Sequence, residues 1–191
     1  MTSQENFLQI LIEKLNQAGI GYMLSGSFSS SLHGLPRATN DADIIIAPSE
    51  EQLRAFIKSL GDDYYVNPST ALEALNNRAM FNVIDIHNSF KADFIIRKDR
   101  PFSREEFQRR QKSTIMDLDI WVVSPEDVIL SKLEWAKESE SSQQFQDALG
   151  VVVVQYDKLD KDYLKKWAKE LQIEASLEQL LKSAEEQLNP G

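Results

Sequence analysis

The chain has 191 residues, 21 of them Lys or Arg against 30 Asp or Glu, for a formal net charge of −9 at pH 7. This length can bury a full core, and the acid excess disfavours indiscriminate binding to nucleic acid. The lack of cysteine excludes disulfides and thiolate metal centres, and two histidines, His33 and His87, are too few for a histidine metal site.

Residues 4–18 set Phe7, Leu8, Leu11, Ile12 and Leu15 at helical intervals, which predicts an amphipathic helix closed by Gly19. Residues 22–24 form a short apolar strand feeding a Gly26-Ser27 turn, and a helix of small residues follows, ending at Gly34 as a C′ glycine. Asp41 leads a second strand over 41–46. Ser49, followed by Glu50 and Glu51, starts a helix whose inner face is Leu53, Phe56, Ile57 and Leu60. Residues 64–66 predict a short edge strand, and 69–76 a short helix. The runs 80–86 and 91–97 pair as a hairpin joined through His87-Asn88-Ser89-Phe90. Pro101 and Ser103 open a helix reaching Arg110, and 119–123 form a further strand. Ser124-Pro125-Glu126-Asp127 is a strong helix start, with a cap residue, a first-position Pro and acids in the first turn. A Ser-rich joint at 139–142 leads to a helix reaching Tyr156, then to helices over 160–171 and 175–188. His33 reads as a helix-end residue and His87 as a turn residue. The predicted fold is α/β: a short mixed β-sheet with flanking helices over residues 1–123, and a helical C-terminal region, 124–191, packed on that core. No apolar run approaches the ~20 residues of a membrane span, and MTSQENF carries no basic and apolar leader, so a cytoplasmic protein is expected.

The chemistry gathers in residues 25–47, SGSFSSSLHGLPRATNDADIIIA. Asp41 and Asp43 alternate at the head of an Ile-rich strand, so both project from one face, ~6–7 Å apart. Two carboxylates so placed repel each other and call for a cation, and the spacing suits two Mg²⁺ ions about 3.5–4 Å apart. Gly26 allows close backbone approach, Ser27 offers a hydroxyl, and the helix start behind them presents free N–H groups to a polyphosphate. The loop is neither a Walker A motif nor a nucleophile elbow, since it lacks Gly-Lys-Ser/Thr and Gly-x-Ser-x-Gly. A plainer reading makes it a Ser- and Asp-rich capping loop. Against that reading, turn residues have no need of alternate places inside an apolar strand. Further on, seven basic residues, Arg97, Lys98, Arg100, Arg104, Arg109, Arg110 and Lys112, face only Asp99, Glu105 and Glu106. That segment reads as a solvated helix face or as a contact for a polyanion.

The order Gly-Ser, helix, Arg-x-Thr-x-Asp-x-Asp, strand resembles the DNA polymerase β-like nucleotidyltransferase superfamily. The likeness is strongest to its small bacterial members, whose relatives include antibiotic and toxin–antitoxin nucleotidyltransferases. The resemblance implies Mg²⁺-dependent transfer of a nucleoside monophosphate from an NTP to an acceptor hydroxyl, with release of pyrophosphate and with Mn²⁺ as a substitute metal. Asp41 and Asp43 would bind the two ions, and Asp93 in KADFII matches the third carboxylate on a neighbouring strand. Gly26 and Ser27 would hold the β- and γ-phosphates. Arg37 and Thr39 would brace the turn, with Arg37 in reach of a phosphate. Small members also carry a Pro-Glu-Asp-started helix with an internal Lys, here Lys132, and a following helix with an internal Asp, here Asp147. Lys132 would neutralise the triphosphate and Asp147 would orient it or touch the base. The plainer readings are a snorkelling lysine and a surface carboxylate. Gln143 and Gln146 depart from the basic residues of many relatives. The acceptor stays open between a small molecule, a protein side chain and an RNA end, and an antitoxin protein is a candidate partner. A second reading is a non-catalytic nucleotide-binding or toxin–antitoxin partner-binding module of the same fold.

Asp85 competes with Asp93 for the third place. With a loop of two or four residues centred on Asn88-Ser89, Asp93 faces Ile84 and Asp85 faces Ala92, so the two acids lie on opposite faces. A three- or five-residue loop would put both on one face. Asp85 lies near the loop and can serve the turn, while Asp93 lies deeper, where a charge needs a cation.

Overall fold

Alternating and β-branched runs in the first two thirds of the chain build strands, and the last third is helical. The computed structural model describes residues 3–35, 41–115, 118–139 and 141–189. In chain order its elements are α1 (Ser3–Gln17), β1 (Tyr22–Leu24), α2 (Gly26–His33), β2 (Asp41–Ile46), α3 (Glu50–Leu60), β3 (Tyr64–Tyr65), α4 (Pro68–Asn77), β4 (Met80–Asp85) and β5 (Lys91–Ile96). There follow α5 (Pro101–Gln108), β6 (Gln111–Ile115), β7 (Leu118–Val122), α6 (Pro125–Ser139), α7 (Ser142–Gln155), α8 (Lys161–Glu170) and α9 (Glu174–Leu188). They group into two units, Met1–Ser25 with Thr39–Val122, and Gly26–Ala38 with Val123–Gly191.

In the first unit the described strands form one seven-stranded sheet, ordered β3-β4-β5-β2-β1-β7-β6. It is mixed, because β2 runs parallel to β5 and antiparallel to β1. One face is apolar: Ile44, Ile46, Phe81, Val83, Phe94 and Ile96 are buried there. The Phe94 ring lies 5.2 Å from Phe56 of α3 and 5.3 Å from Phe81. Leu11, Ile12 and Leu15 of α1 are fully buried as well. Each such side chain contributes about 1.5–3 kcal/mol through burial. Ser49, the expected start of α3, forms a capping box with Gln52, and Gln52 Nε2 also donates to Gly19 O at 2.7 Å, tying α3 to the end of α1.

The sheet is wider than the sequence reading. Gln111–Ile115, QKSTI, pairs antiparallel with β7 as the outermost strand, where no element was predicted. Its polar residues suit an edge, and they conceal the apolar alternation by which strands are recognised. The preceding helix accordingly stops at Gln108, short of Arg110.

In the second unit α2 packs with α6 and α7. A Cβ on Gly34 would meet Val151 N at 2.7 Å and Ser30 O at 2.9 Å, so glycine is required by the close approach of this helix end to α7. Gly34 follows the last residue of α2 as expected, but it is not in the left-handed conformation of a C′ glycine, so packing and not a left-handed cap calls for glycine here. His33 forms the helix end, as read from the sequence, and its Nε2 lies 2.7 Å from Val123 O. Burial lowers the His33 pKa, and the neutral Nε2–H tautomer donates to that carbonyl. At the start of α6, the Ser124 hydroxyl donates to Asp127 Oδ2 at 2.7 Å, and Tyr163 of α8 donates to Asp127 Oδ1 at 2.6 Å. No helix among the described residues is long and apolar enough to cross a membrane.

Candidate active site

The register of β2 against β5 sets the site. Asp43 lies directly beside Asp93 and Asp41 beside Lys91, so three carboxylates and one ammonium share a face of two adjoining parallel strands. The opposite face of the same strands carries the core residues Ile44, Ile46, Phe94 and Ile96. Asp93 is 9% exposed and has both oxygens engaged. Asn82 Nδ2, its cross-strand neighbour on β4, donates to Oδ1, and Lys91 Nζ donates to Oδ2 at 3.0 Å. Lys91 Nζ also lies 3.6 Å from Asp41 Oδ2. The hydrogen bond to Asp93 raises the Lys91 pKa; burial opposes the rise, and the Asp93 and Asp41 charges reinforce it.

Asp85 points to the other face and is committed to the turn. Its Oδ1 accepts from the backbone N–H groups of His87 and Asn88, and its Oδ2 accepts from the Asn88 side chain. Burial pushes its pKa up, but the hydrogen bonds from Asn88 and His87 outweigh that and leave it lowered. The pairing differs from the predicted register by two residues: Asp93 faces Asn82, not Ile84. Asp85 N donates to Phe90 O, so the loop is 86–89, centred on His87-Asn88, with Ser89 in the left-handed region at φ 58°. A shift of two preserves parity, which is why the two acids still part to opposite faces.

Sequence reasoning missed Lys91 and Asn82. Lys91 precedes Asp93 by two residues, the same alternation that singled out Asp41 and Asp43, and this was the available signal. Asn82 had none without the hairpin register. Among the described residues, no three His, Cys, Asp or Glu side chains are gathered as ligands of one metal ion. The donor chemistry still fits a hard divalent cation, since the row is all carboxylate and already holds a cationic group.

Gly26 opens α2 with φ +60°, a conformation that favours glycine, and the first turn of α2 carries no acid to offset its positive end. Ser27 O accepts from the Ser30 hydroxyl at 3.0 Å, while Ser25 N, the residue before, donates to Asp43 O at 2.9 Å. Arg37 and Thr39 lie outside the described residues. Lys132 and Asp147 meet each other: Nζ lies 2.9 Å from Oδ2, each side chain is 7% exposed, and Gln143 holds Oδ1 at 2.8 Å. Both plainer readings are thus replaced by a buried ion pair joining α6 to α7.

No protein-family profile and no curated protein sequence matches the chain. Solved structures do. A crystal structure of ANT(2'')-Ia in complex with adenylyl-2''-tobramycin aligns at TM-score 0.58 and 12% identity, over 90% of this chain and 98% of that one. An antigenic nucleotidyltransferase-like protein from Paracoccidioides brasiliensis aligns at 0.56 and 15% identity, over 94% and 92%. The lincosamide antibiotic adenylyltransferase LnuA, lincomycin-bound, aligns at 0.52 and 12%, over 79% and 96%. The fold is that of the nucleotidyltransferases.

Within this nucleotidyltransferase fold several cations of the basic segment stack on aromatic rings, while Lys98, Arg104 and Lys112 are exposed. Arg110 lies 4.4 Å from the Phe107 ring centroid and 4.8 Å from that of Trp121, Lys112 lies 5.3 Å from Trp121, and Arg97 lies 5.6 Å from Phe107. Arg104 pairs with Asp99 at 2.8 Å. The segment thus combines exposed cations with cations that stack on aromatic rings.

Proposed function

We propose that the chain is a Mg²⁺-dependent nucleotidyltransferase that moves a nucleoside monophosphate from an NTP to an acceptor hydroxyl and releases pyrophosphate. The observation that carries this reading is the row of Asp41, Asp43 and Asp93 on one face of adjoining strands in a nucleotidyltransferase fold. Asp41, Asp43 and Asp93 would hold the divalent cations, two Mg²⁺ or Mn²⁺. When bound, these supply charge neutralisation for the phosphoryl group and for the attacking and leaving oxygens. Asp93, fixed by Asn82 and Lys91, would orient the acceptor hydroxyl and take its proton. The hydroxyl oxygen forms the new bond to the α-phosphorus as the bond to the pyrophosphate oxygen breaks. Gly26 and Ser27 bind the β- and γ-phosphates through backbone N–H groups and the hydroxyl at the start of α2. Arg37 and Thr39 would brace the turn, with Arg37 in reach of a phosphate, as the resemblance implies. Lys132 supplies positive charge towards the triphosphate, and Asp147 holds its ammonium in place. Positioning and charge carry most of such a reaction.

A small-molecule hydroxyl is the favoured acceptor, because two fold neighbours were solved with adenylyl-2''-tobramycin and lincomycin and because the net charge of −9 opposes RNA. The test is incubation with each labelled NTP, Mg²⁺ and a panel of hydroxylated small molecules, proteins and RNA. Label should pass to one class only, with equimolar pyrophosphate. The second reading, a non-catalytic nucleotide-binding or toxin–antitoxin partner-binding module, draws on Lys91, which already neutralises part of the carboxylate row. NTP binding without pyrophosphate release from any acceptor would favour it.

A further inference from the structure

We propose that the acceptor is itself an acid, whose carboxylate or phosphate is held by Arg97, Arg110 and Lys112 where they gather on the rings of Phe107 and Trp121. The inference rests on the transfer reading above and narrows its small-molecule acceptor. Register puts this cluster on the face of the sheet that carries the carboxylates. Val122 pairs with Leu24, and Leu24 with Ile44 of the core face. Trp121 therefore lies on the opposite face, that of Asp43, and Lys112 is paired with it. Gly21 precedes Tyr22, the partner of Ile46, and a Cβ on Gly21 would meet the Phe107 ring at 3.4 Å, so Phe107 covers the same face. Arg97 continues the alternation of Lys91 and Asp93, its N–H still bonded to Ile46 O. Along the strands Arg97 stands about 13 Å beyond Asp93, and across them Trp121 stands about 10 Å from β2. A small molecule held by its acidic end at the cluster spans such a distance, with a hydroxyl at the carboxylates.

The three cations are stacked but not neutralised. Their partners are the rings and, for Arg110, the Phe107 carbonyl. The Nε atoms of Arg97 and Arg110 are buried with no hydrogen-bond partner. Among the described residues no carboxylate lies at ion-pair distance from any of the three, and Asp99, two residues after Arg97, is held by Arg104 at 2.8 Å. Burial lowers the Arg110 pKa, yet a guanidinium keeps its charge. A half-buried charge without a counter-charge is costly, and a bound anion relieves that cost. Lys112 is exposed, and Arg97, Arg110 and Trp121 are half-buried, so a ligand can reach the cluster. A chain of net charge −9 repels an anion at large, whereas a local set of cations draws it in and fixes which end arrives.

The experiment follows the Trp121 indole N–H resonance of the isotope-labelled full chain, assigned through Trp121→Phe. One sugar is added in different charge states: glucuronate, glucose phosphate, glucose and glucosamine. Glucuronate or glucose phosphate should shift the resonance saturably, and these two arms separate a carboxylate from a phosphate; glucose and glucosamine should leave it in place. Lys112→Gln, a change at an exposed side chain, should weaken binding of the acid about fivefold, the effect of one charge a few ångströms away in water. Arg110→Lys, which keeps the charge and gives up the planar fork, should weaken it too. An equal shift from glucose, or an oligonucleotide that displaces the sugar acids, overturns the proposal. Isotherms unchanged in both variants also overturn it and leave the stacked cations as a structural brace. A Lys112→Gln chain that loses ATP affinity and keeps its affinity for the acid assigns the cluster to nucleotide, against the proposal. The label-transfer panel separates the two levels. Label passing only to neutral or cationic compounds sinks the acid and keeps the transfer; acids that bind at Trp121 while no compound is labelled sink the transfer reading and leave an acid-binding site.

Discussion

At the scale of single residues, acids on the two faces of the sheet do opposite work: Asp43 and Asp93 share one face, and Asp85 lies on the other. Asp43, beside Asp93, gains nothing from its neighbour's charge. Asp43→Asn is therefore expected to abolish label transfer while leaving the melting temperature unchanged or raised, since it removes a repulsion. A variant that unfolds would mean that Asp43 holds the fold together. Asp85→Ala should behave in reverse, costing about 1–2 kcal/mol for the loss of an organised turn while leaving transfer at the wild-type rate. The pH dependence follows in sign. Because the folded-state pKa of Asp85 is lowered, its contribution is fully present above the unfolded value near 4 and is lost as pH falls through the folded pKa. Melting curves from pH 7 to pH 3 should show wild type and Asp85→Asn converging only at the acid end. A constant gap would assign the effect to something other than the carboxylate's charge.

At the scale of elements, one buried ion pair adds to the apolar packing between α6 and α7. Removing a single partner leaves an uncompensated charge, so Lys132→Met should cost about 3–5 kcal/mol. The double change Lys132→Met with Asp147→Leu should recover most of that in chemical denaturation. If the single change is neutral, the pair adds no stability to the joint. Most elements were legible from local pattern: the amphipathic α1, the helix started by Ser49 and the Asp-led β2 all fall within a few residues of their predicted bounds. β6 was not, because a polar edge strand buries too little to mark itself. Nor were Lys91 and Asn82, whose role arises only from register between strands distant in sequence. Parity of the hairpin was recoverable because an even displacement of the turn changes partners and not faces.

For the whole molecule, stability and function should be linked through ligand. Mn²⁺ and the correct NTP together should raise the melting temperature more than either alone. At about a hundredfold excess over Kd the gain is about 2.7 kcal/mol, or roughly 5–10 °C for a protein of this size. A flat response across all four NTPs would remove nucleotide binding from the proposal. The acid excess argues against an RNA acceptor and the missing cysteine against thiolate chemistry, but neither selects among small-molecule acceptors.

The interleaved membership of α2 carries a consequence for how the chain is made. It leaves the ribosome directly after β1, yet its close-packed partner is Val151 of α7, and the tight fit at Gly34 admits no substitute. Through most of synthesis this segment of small residues therefore waits without its neighbours. Its order should be acquired late, as a long-range closure rather than a local nucleation. Pulse-labelled hydrogen exchange during refolding can time this directly: α2 amides should become protected in step with those of α7, and later than those of α3, which is capped and packed from nearby sequence. Protection of α2 together with β1, ahead of α7, would show that the helix forms before the contact that demands its glycine.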